Sequence, residues 1–218
     1  MSFNQSYIGL RKDLLKYILG QSNVVLDVGC ALGTNGAFLL EKKIASKVYG
    51  IEYDEEMAIE AGKQNIRVFS GDLDDESFIQ SILKETLQFD YIIFGDVLEH
   101  LYDPLKVLII LKSMLKPDGQ IIISLPNISH IELFIQVYIK GSWPKNERGI
   151  FDKTHIRWFT TKDGINIVKS AGLKVVFHER KYRSRDAIGS NFDLKAKVLK
   201  LFNKNLVTFQ NIFVCQHA

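Results

Sequence analysis

Residues 27–36 read Asp27-Val28-Gly29-Cys30-Ala31-Leu32-Gly33-Thr34-Asn35-Gly36, and this stretch decides the fold class. It closes the short apolar run Val24-Val25-Leu26-Asp27-Val28 and opens a helical pattern that continues through Lys43. A strand that runs into a glycine turn and then a helix is the first half of a βαβ unit. Glycines at such a junction permit a tight turn, let a ligand approach the backbone and aim helix N–H groups at it. A dinucleotide turn would read G-x-G-x-x-G. Counted from Gly29, the second and third glycines fall on Ala31 and Thr34; counted from Ala31, the first is missing. The motif alone leaves an ordinary strand-to-helix turn open.

Outward from this turn the pattern repeats. An N-terminal helix is expected from about Tyr7 to Leu19. Val48-Tyr49-Gly50-Ile51-Glu52 reads as a second strand, followed by a helix opened by Asp54-Glu55-Glu56, acids suited to a helix N-terminus. Ile66 to Phe69 and Phe89 to Phe94 read as the third and fourth strands. Asp103-Pro104 places an N-cap and a first-turn proline on the next helix, and Lys116-Pro117-Asp118-Gly119 reads as its stop, leading into strand five, Gln120 to Leu125. A helix over Thr161 to Ala171 precedes strands at Leu173 to Phe177 and Leu206 to Cys215. The expectation is an α/β fold: a doubly wound, mostly parallel seven-stranded sheet in one domain over 1–218. The connection from Asn127 to Thr160 is far longer than the ~2–6 residues usual after a strand of such a sheet. Loops at that edge sit over the ligand crevice, so 127–160 is expected to be a substrate cap.

The 218 residues are 46% apolar and 24% charged, close to globular averages, which argues against disorder. Two cysteines, Cys30 and Cys215, are too few for a disulfide framework or a zinc cluster. Reduced thiols in a cytoplasmic protein are expected, with Cys30 a small buried filler. The longest strictly apolar run, Val107 to Leu111, is far short of the ~20 residues of a spanning helix, and the N-terminus has no signal-peptide pattern; no membrane partner is expected. The net charge is +3, but His178 to Lys204 holds eight Lys or Arg against three acids, +5, which leaves −2 elsewhere. That basic stretch reads as a solvated face, or as a phosphate or nucleic-acid surface with few of the aromatics that base stacking needs.

Two carboxylates sharpen the turn. Glu52 ends strand two, where it can accept both hydroxyls of a ribose. Asp72, in Ser70-Gly71-Asp72-Leu73, follows strand three, where it can accept an exocyclic amine. Each alone reads equally as a surface acid or helix cap; together with the turn they describe a nucleoside-carrying ligand across the C-terminal edge of the sheet.

With these residues in place the sequence resembles the class I S-adenosylmethionine-dependent methyltransferases over nearly its whole length. The first motif matches D-x-G-x-G-x-G except at Ala31, where an ordinary φ is therefore expected. Phe94-Gly95-Asp96-Val97-Leu98-Glu99-His100-Leu101-Tyr102-Asp103-Pro104 is similar to the fourth-strand signature of small-molecule O-methyltransferases such as quinone-pathway enzymes. Leu115-Lys116-Pro117-Asp118-Gly119 before an Ile-rich strand is family-typical. Phe151-Asp152-Lys153-Thr154-His155-Ile156-Arg157-Trp158-Phe159-Thr160 resembles the D-x-T-H-x-R-x-F-T segment of a bacterial methyltransferase group. The resemblance implies a Rossmann-like methyltransferase fold and S-adenosylmethionine as cofactor. It implies that Asp27, Gly29, Ala31 and Gly33 meet the methionine part, Glu52 the ribose, Asp72 with the Leu73 backbone the adenine, and Gly95 and Asp96 the amino group.

Methyl transfer from a sulfonium requires alignment and exclusion of water, and a base if the acceptor is a hydroxyl. Of five histidines, His155 in the cap and His100 after strand four are the candidate bases, with a structural hydrogen-bonded His the alternative for each. Asp152 is expected to orient His155 and raise its basicity, Arg157 to hold an anionic acceptor, and Trp158 to line the pocket, core packing being the alternative. No metal site is expected, because no ligand cluster recurs at the crevice beyond the cofactor acids. The first reading is methyl transfer to a small-molecule acceptor, at oxygen. A nucleic-acid or protein methyltransferase using the 178–204 patch is the alternative within enzymes; the strand-four end lacks the Asn-Pro-Pro-aromatic motif of amino-methylating nucleic-acid enzymes. A non-catalytic cofactor-binding protein and a nicotinamide oxidoreductase are the other classes.

Overall fold

The computed structural model describes residues 9–186 and 190–218. In chain order the elements are α1 (Lys12–Leu15), β1 (Asn23–Val28), α2 (Thr34–Glu41), β2 (Ala45–Glu52), α3 (Glu55–Gly62), β3 (Arg67–Ser70), α4 (Glu76–Leu83), β4 (Phe89–Gly95), α5 (Pro104–Lys112), β5 (Leu115–Pro126), α6 (Ile131–Leu133), α7 (Thr161–Ser170), β6 (Leu173–Tyr182), α8 (Leu194–Phe202) and β7 (Thr208–His217). A 3₁₀ turn spans Leu98–His100 and a π-helix Phe134–Ile139.

The seven strands form one sheet in the order β3-β2-β1-β4-β5-β7-β6. β1 pairs in parallel with both β2 and β4, and β7 runs antiparallel to β5 and β6. This is the doubly wound, mostly parallel architecture expected from the sequence. A central parallel strand is covered on both faces, which is why β1 reads as a continuous apolar run. Val25 packs with Leu14, Leu39 and Ile93 on one face, while Leu26 and Val28 join Phe94, Leu108 and Ile123 on the other. The chain leaves β1 in opposite directions toward β2 and β4, so the C-terminal edge of β1 is the topological switch point where such sheets bind ligands.

Local signals explain most helix starts. The Asp54 and Asp103 side chains accept from Met57 N and Lys106 N, Pro104 occupies the first turn of α5, and Thr160 with Asp163 forms a reciprocal capping box on α7. Other boundaries differ from the sequence pattern. The N-terminal helix narrows to Lys12–Leu15, with its expected start at Tyr7 outside the described residues. α5 ends at Lys112, and Pro117-Asp118-Gly119 lies inside β5 as a bulge, where register passes from Phe89↔Leu115 to Tyr91↔Gln120. α4 and α8 had no place in the sequence reading. Asp75 caps α4 through Ser77 N, and α8 lies within the stretch read as a basic face.

The 127–160 segment is fastened to the sheet at several points. Asn127 bridges Phe159, and its side chain donates to the carbonyls of Asn205 and Thr208. Ile150 and Phe151 are buried. Arg185 donates through Nε and Nη2 to the two oxygens of Glu132 at 2.6 and 2.8 Å, and this bidentate pair holds the Glu132 carboxyl down to about 2. Among the described residues no helix is long and apolar enough to cross a membrane.

Candidate active site

A cavity of about 610 Å³ opens at the C-terminal edge of β1, β2 and β4, between the glycine turn and the 127–160 segment. Its floor is the turn after β1, where Gly29, Ala31 and Gly33 all take positive φ, at 71°, 47° and 76°. The ordinary φ expected at Ala31 is therefore overturned. A left-handed alanine costs about 1–2 kcal/mol, and the hydrogen bonds of the loop hold it there. Gly29 N and Cys30 N both donate to the Ile51 carbonyl at 2.8 and 3.1 Å, and Ala31 N donates to Glu52 Oε2 at 2.8 Å. Gly29 has a further constraint, since a Cβ there would stand 2.7 Å from Val97 Cγ2. Cys30 is buried beneath the turn, and burial pushes its thiol up.

Glu52 is fixed on both oxygens, Oε1 accepting from Asp54 N at 3.0 Å, and it faces the cavity with lone pairs to spare. Asp72 and Leu73 line the same wall, with Asp72 Oδ1 accepting from Asp74 N. Carboxylates beside this glycine turn suit a ligand carrying a ribose and a base. At the far end Asp96, at positive φ after β4, accepts from Arg11 Nη1 at 2.5 Å, from Ser124 Oγ at 2.8 Å and from Gln210 Nε2. Asp27 lies below the turn, 2% exposed, with Asn35 Nδ2 donating at 3.3 Å; burial pushes its carboxyl up to about 7.

Elsewhere in the lining Glu99, His100 and His155 offer ligand-capable atoms that all lie within 4.8 Å of one another. The His100 and His155 rings meet edge to face, and Glu99 Oε1 stands 3.8 Å from His155 Nε2. Thr154 Oγ1 donates to Asp152 Oδ1 at 2.7 Å, and the Thr154 carbonyl lies 3.2 Å from His100 Nδ1. The Thr154 hydroxyl oxygen lies at the same 3.2 Å from His100 Nδ1. Burial, and then the neighbouring His100, hold His155 below the ordinary imidazole range. Both Glu99 oxygens are buried without a hydrogen-bond partner among the described residues, and burial raises this carboxyl well above its ordinary value. The expectation that no ligand cluster occurs at the crevice is corrected here: the 3₁₀ turn after β4 and the 127–160 segment bring together residues that are remote in sequence.

Asp27, Gly29, Ala31, Glu52, Asp72, Leu73, Gly95, Asp96, His100, Asp152 and His155 all line this cavity. Three expected residues stand elsewhere. Gly33 caps α2 and packs against Ile66 and Ala61. Arg157 donates to the Tyr102 carbonyl at 2.7 Å, and the cation that the 127–160 segment gives to the cavity lining is Arg148. Trp158 is 43% exposed and meets Trp143 edge to face outside the cavity. Asp152 raises His155 electrostatically but does not outweigh burial, and the carboxylate facing His155 Nε2 is that of Glu99. Sequence reasoning missed Glu99, Arg11, Gln210 and Arg148 as cavity residues. For Glu99 a signal existed in its place beside His100; the others come from separate elements and carry no local mark.

The model of a methyltransferase domain matches residues 4–178, and the chain belongs to that family. No curated protein sequence matches. Among solved structures, a chain in the complex of the Haloferax volcanii Trm112 methyltransferase activator with a methyltransferase is similar at a TM-score of 0.64 and 14% identity, covering 94% of this chain and 87% of that one. An S-adenosylmethionine-dependent methyltransferase from Mesorhizobium loti is similar at 0.61 and 16%, covering 93% and 95%. One from Aquifex aeolicus is similar at 0.59 and 18%, covering 98% and 93%. At these identities the structures speak for the fold; the family match makes the chain a methyltransferase with S-adenosylmethionine as its cofactor.

Proposed function

We propose that this methyltransferase acts on a hydroxyl oxygen of a small molecule held beneath the 127–160 segment, with His155 as general base. One observation carries the reading: the cap delivers an imidazole, kept neutral by burial, into the cavity lined by the glycine turn, Glu52 and Asp72. When bound, the cofactor supplies an electrophilic methyl group on a sulfonium. Glu52 takes the ribose hydroxyls, and Asp72 with the Leu73 N–H takes the adenine edge. The turn from Asp27 to Gly33, with Gly95 and Asp96, holds the amino-acid end; Gly33 contributes by setting the start of α2. His155 Nε2 accepts the acceptor's hydroxyl proton, and Asp152 and Asp96 offset the charge of the imidazolium so formed. His100 is the rival base. Arg148 replaces Arg157 as the cation able to meet an anionic acceptor. Incubating the protein with cofactor and a metabolite extract, and following demethylated cofactor and product by mass spectrometry, tests this reading. A product methylated at nitrogen or carbon would refute it.

The orphaned oxygens of Glu99 favour a second reading. A divalent cation held by Glu99, His100 and His155 would satisfy them, and two imidazoles with one carboxylate are a donor set suited to a transition metal or zinc. The cation would then lower the pKa of the acceptor hydroxyl in place of a base. Transfer without a metal is the first reading, and titration with zinc and manganese separates the two.

A further inference from the structure

We propose that α8 is an interfacial helix that seats this protein on an anionic lipid surface. α8 (Leu194–Phe202) turns one side to the body of the protein, where Ala196 is buried, Leu199 is half-buried and Lys200 Nζ stands 3.8 Å from the Tyr182 ring centre. Its outward side is apolar. Leu194, Val198, Leu201 and Phe202 are 76, 47, 86 and 83% exposed. At about 100° per residue these four fall within an arc of roughly 100°. Exposed Lys195 and Lys197 border that arc on its two sides, and exposed Lys204 follows the helix. The one acid of the element, Asp193, is committed as N-cap through Ala196 N.

An apolar stripe aimed away from the core has no folding role, because it leaves large side chains in water. Flanked by lysines on both sides, it matches a bilayer interface: the apolar residues enter the acyl boundary while the ammonium groups reach anionic headgroups. Charge complementarity decides between occupants. The stretch from His178 to Lys204 carries +5, and two copies packed face to face on α8 would bring their lysine rows together. An anionic surface neutralises those rows. The proposed contact is peripheral and requires no spanning segment.

The test is co-sedimentation of the full chain with extruded vesicles of phosphatidylcholine alone and of phosphatidylcholine with 30% phosphatidylglycerol. Partitioning should favour the anionic vesicles by at least about ten-fold and weaken in high salt. The double substitution Leu201→Ser/Phe202→Ser should lower partitioning more than about ten-fold, and Lys195→Glu/Lys197→Glu by a similar factor. These side chains are exposed, so thermal melts of both variants should match the parent and rule out unfolding as the cause. Equal binding to both vesicle types, or binding that survives Leu201→Ser/Phe202→Ser, would overturn the proposal. So would self-association in sedimentation velocity that the same substitution abolishes while vesicles go unbound, which would assign the face to a second copy.

Discussion

The ring centres of His100 and His155 stand 4.8 Å apart, edge to face, in the lining of the cavity. Two imidazoles this close disfavour double protonation, and the positive form of His100 is one of the causes that lower His155. Burial first, and His100 second, thus keep the His155 imidazole neutral near pH 7.

If His155 is the base, His155→Ala should lower turnover roughly 10²–10⁴-fold with cofactor affinity nearly unchanged. The acid limb of the kcat/KM profile should lie below the ordinary imidazole value, because the active form is neutral and its pKa is lowered. His100→Gln should move that limb to higher pH by removing the repulsion. Full turnover in His155→Ala with loss in His100→Ala would transfer the role to His100.

Ala31 holds a left-handed φ that glycine adopts without strain. Relief of ~1–2 kcal/mol of strain against ~0.5–1 kcal/mol of added chain entropy should leave Ala31→Gly more stable by up to about 1.5 kcal/mol. Urea unfolding measures this, and a less stable variant would show that the loop does not strain Ala31.

Glu52→Ala removes an acceptor from Ala31 N and Asp54 N and, on the proposed reading, from the cofactor's ribose. Cofactor binding, read by calorimetry with the demethylated cofactor, should weaken by about 1–3 kcal/mol. The melting temperature of the ligand-free chain should fall too. Unchanged affinity would remove Glu52 from the site.

Asp27, raised to about 7 by burial, binds a proton in the folded state that the unfolded chain releases near pH 4. Its favourable contribution is complete below pH ~4 and is lost as pH rises toward 7. Asp27→Asn, neutral at every pH, should therefore gain stability over the parent across that window, by a few kcal/mol in order of magnitude. Urea melts at pH 5 and pH 7.5 test it; a constant difference would mean that Asp27 titrates normally.

Chelation distinguishes the two readings of the Glu99 cluster. On the first, turnover persists in excess EDTA, and zinc or manganese leaves the melting temperature unchanged. On the second, EDTA abolishes turnover, the metal restores it, and Glu99→Gln loses the metal-dependent thermal shift.

The sequence by itself determined the sheet, its parallel β1–β4 core and the strand-end acids Glu52 and Asp72. Those features follow from short-range physics: apolar runs bounded by caps and turns, and carboxylates placed where a strand stops. It could not determine the φ of Ala31, because that angle is imposed by hydrogen bonds to Ile51 and Glu52 on the neighbouring strand. Nor could it tell Arg148 from Arg157. Both are cap arginines, and which one faces the cavity depends on the path of 127–160, set by Asn127 and by the Glu132–Arg185 pair. Glu99 stood in view beside His100, but its buried and unpartnered state comes from tertiary packing, with Ile156 N and Arg157 N of the 127–160 segment donating to its carbonyl. Local pattern fixes which elements form; the cavity is made where elements distant in sequence meet, and those contacts leave no mark in the spacing of residues.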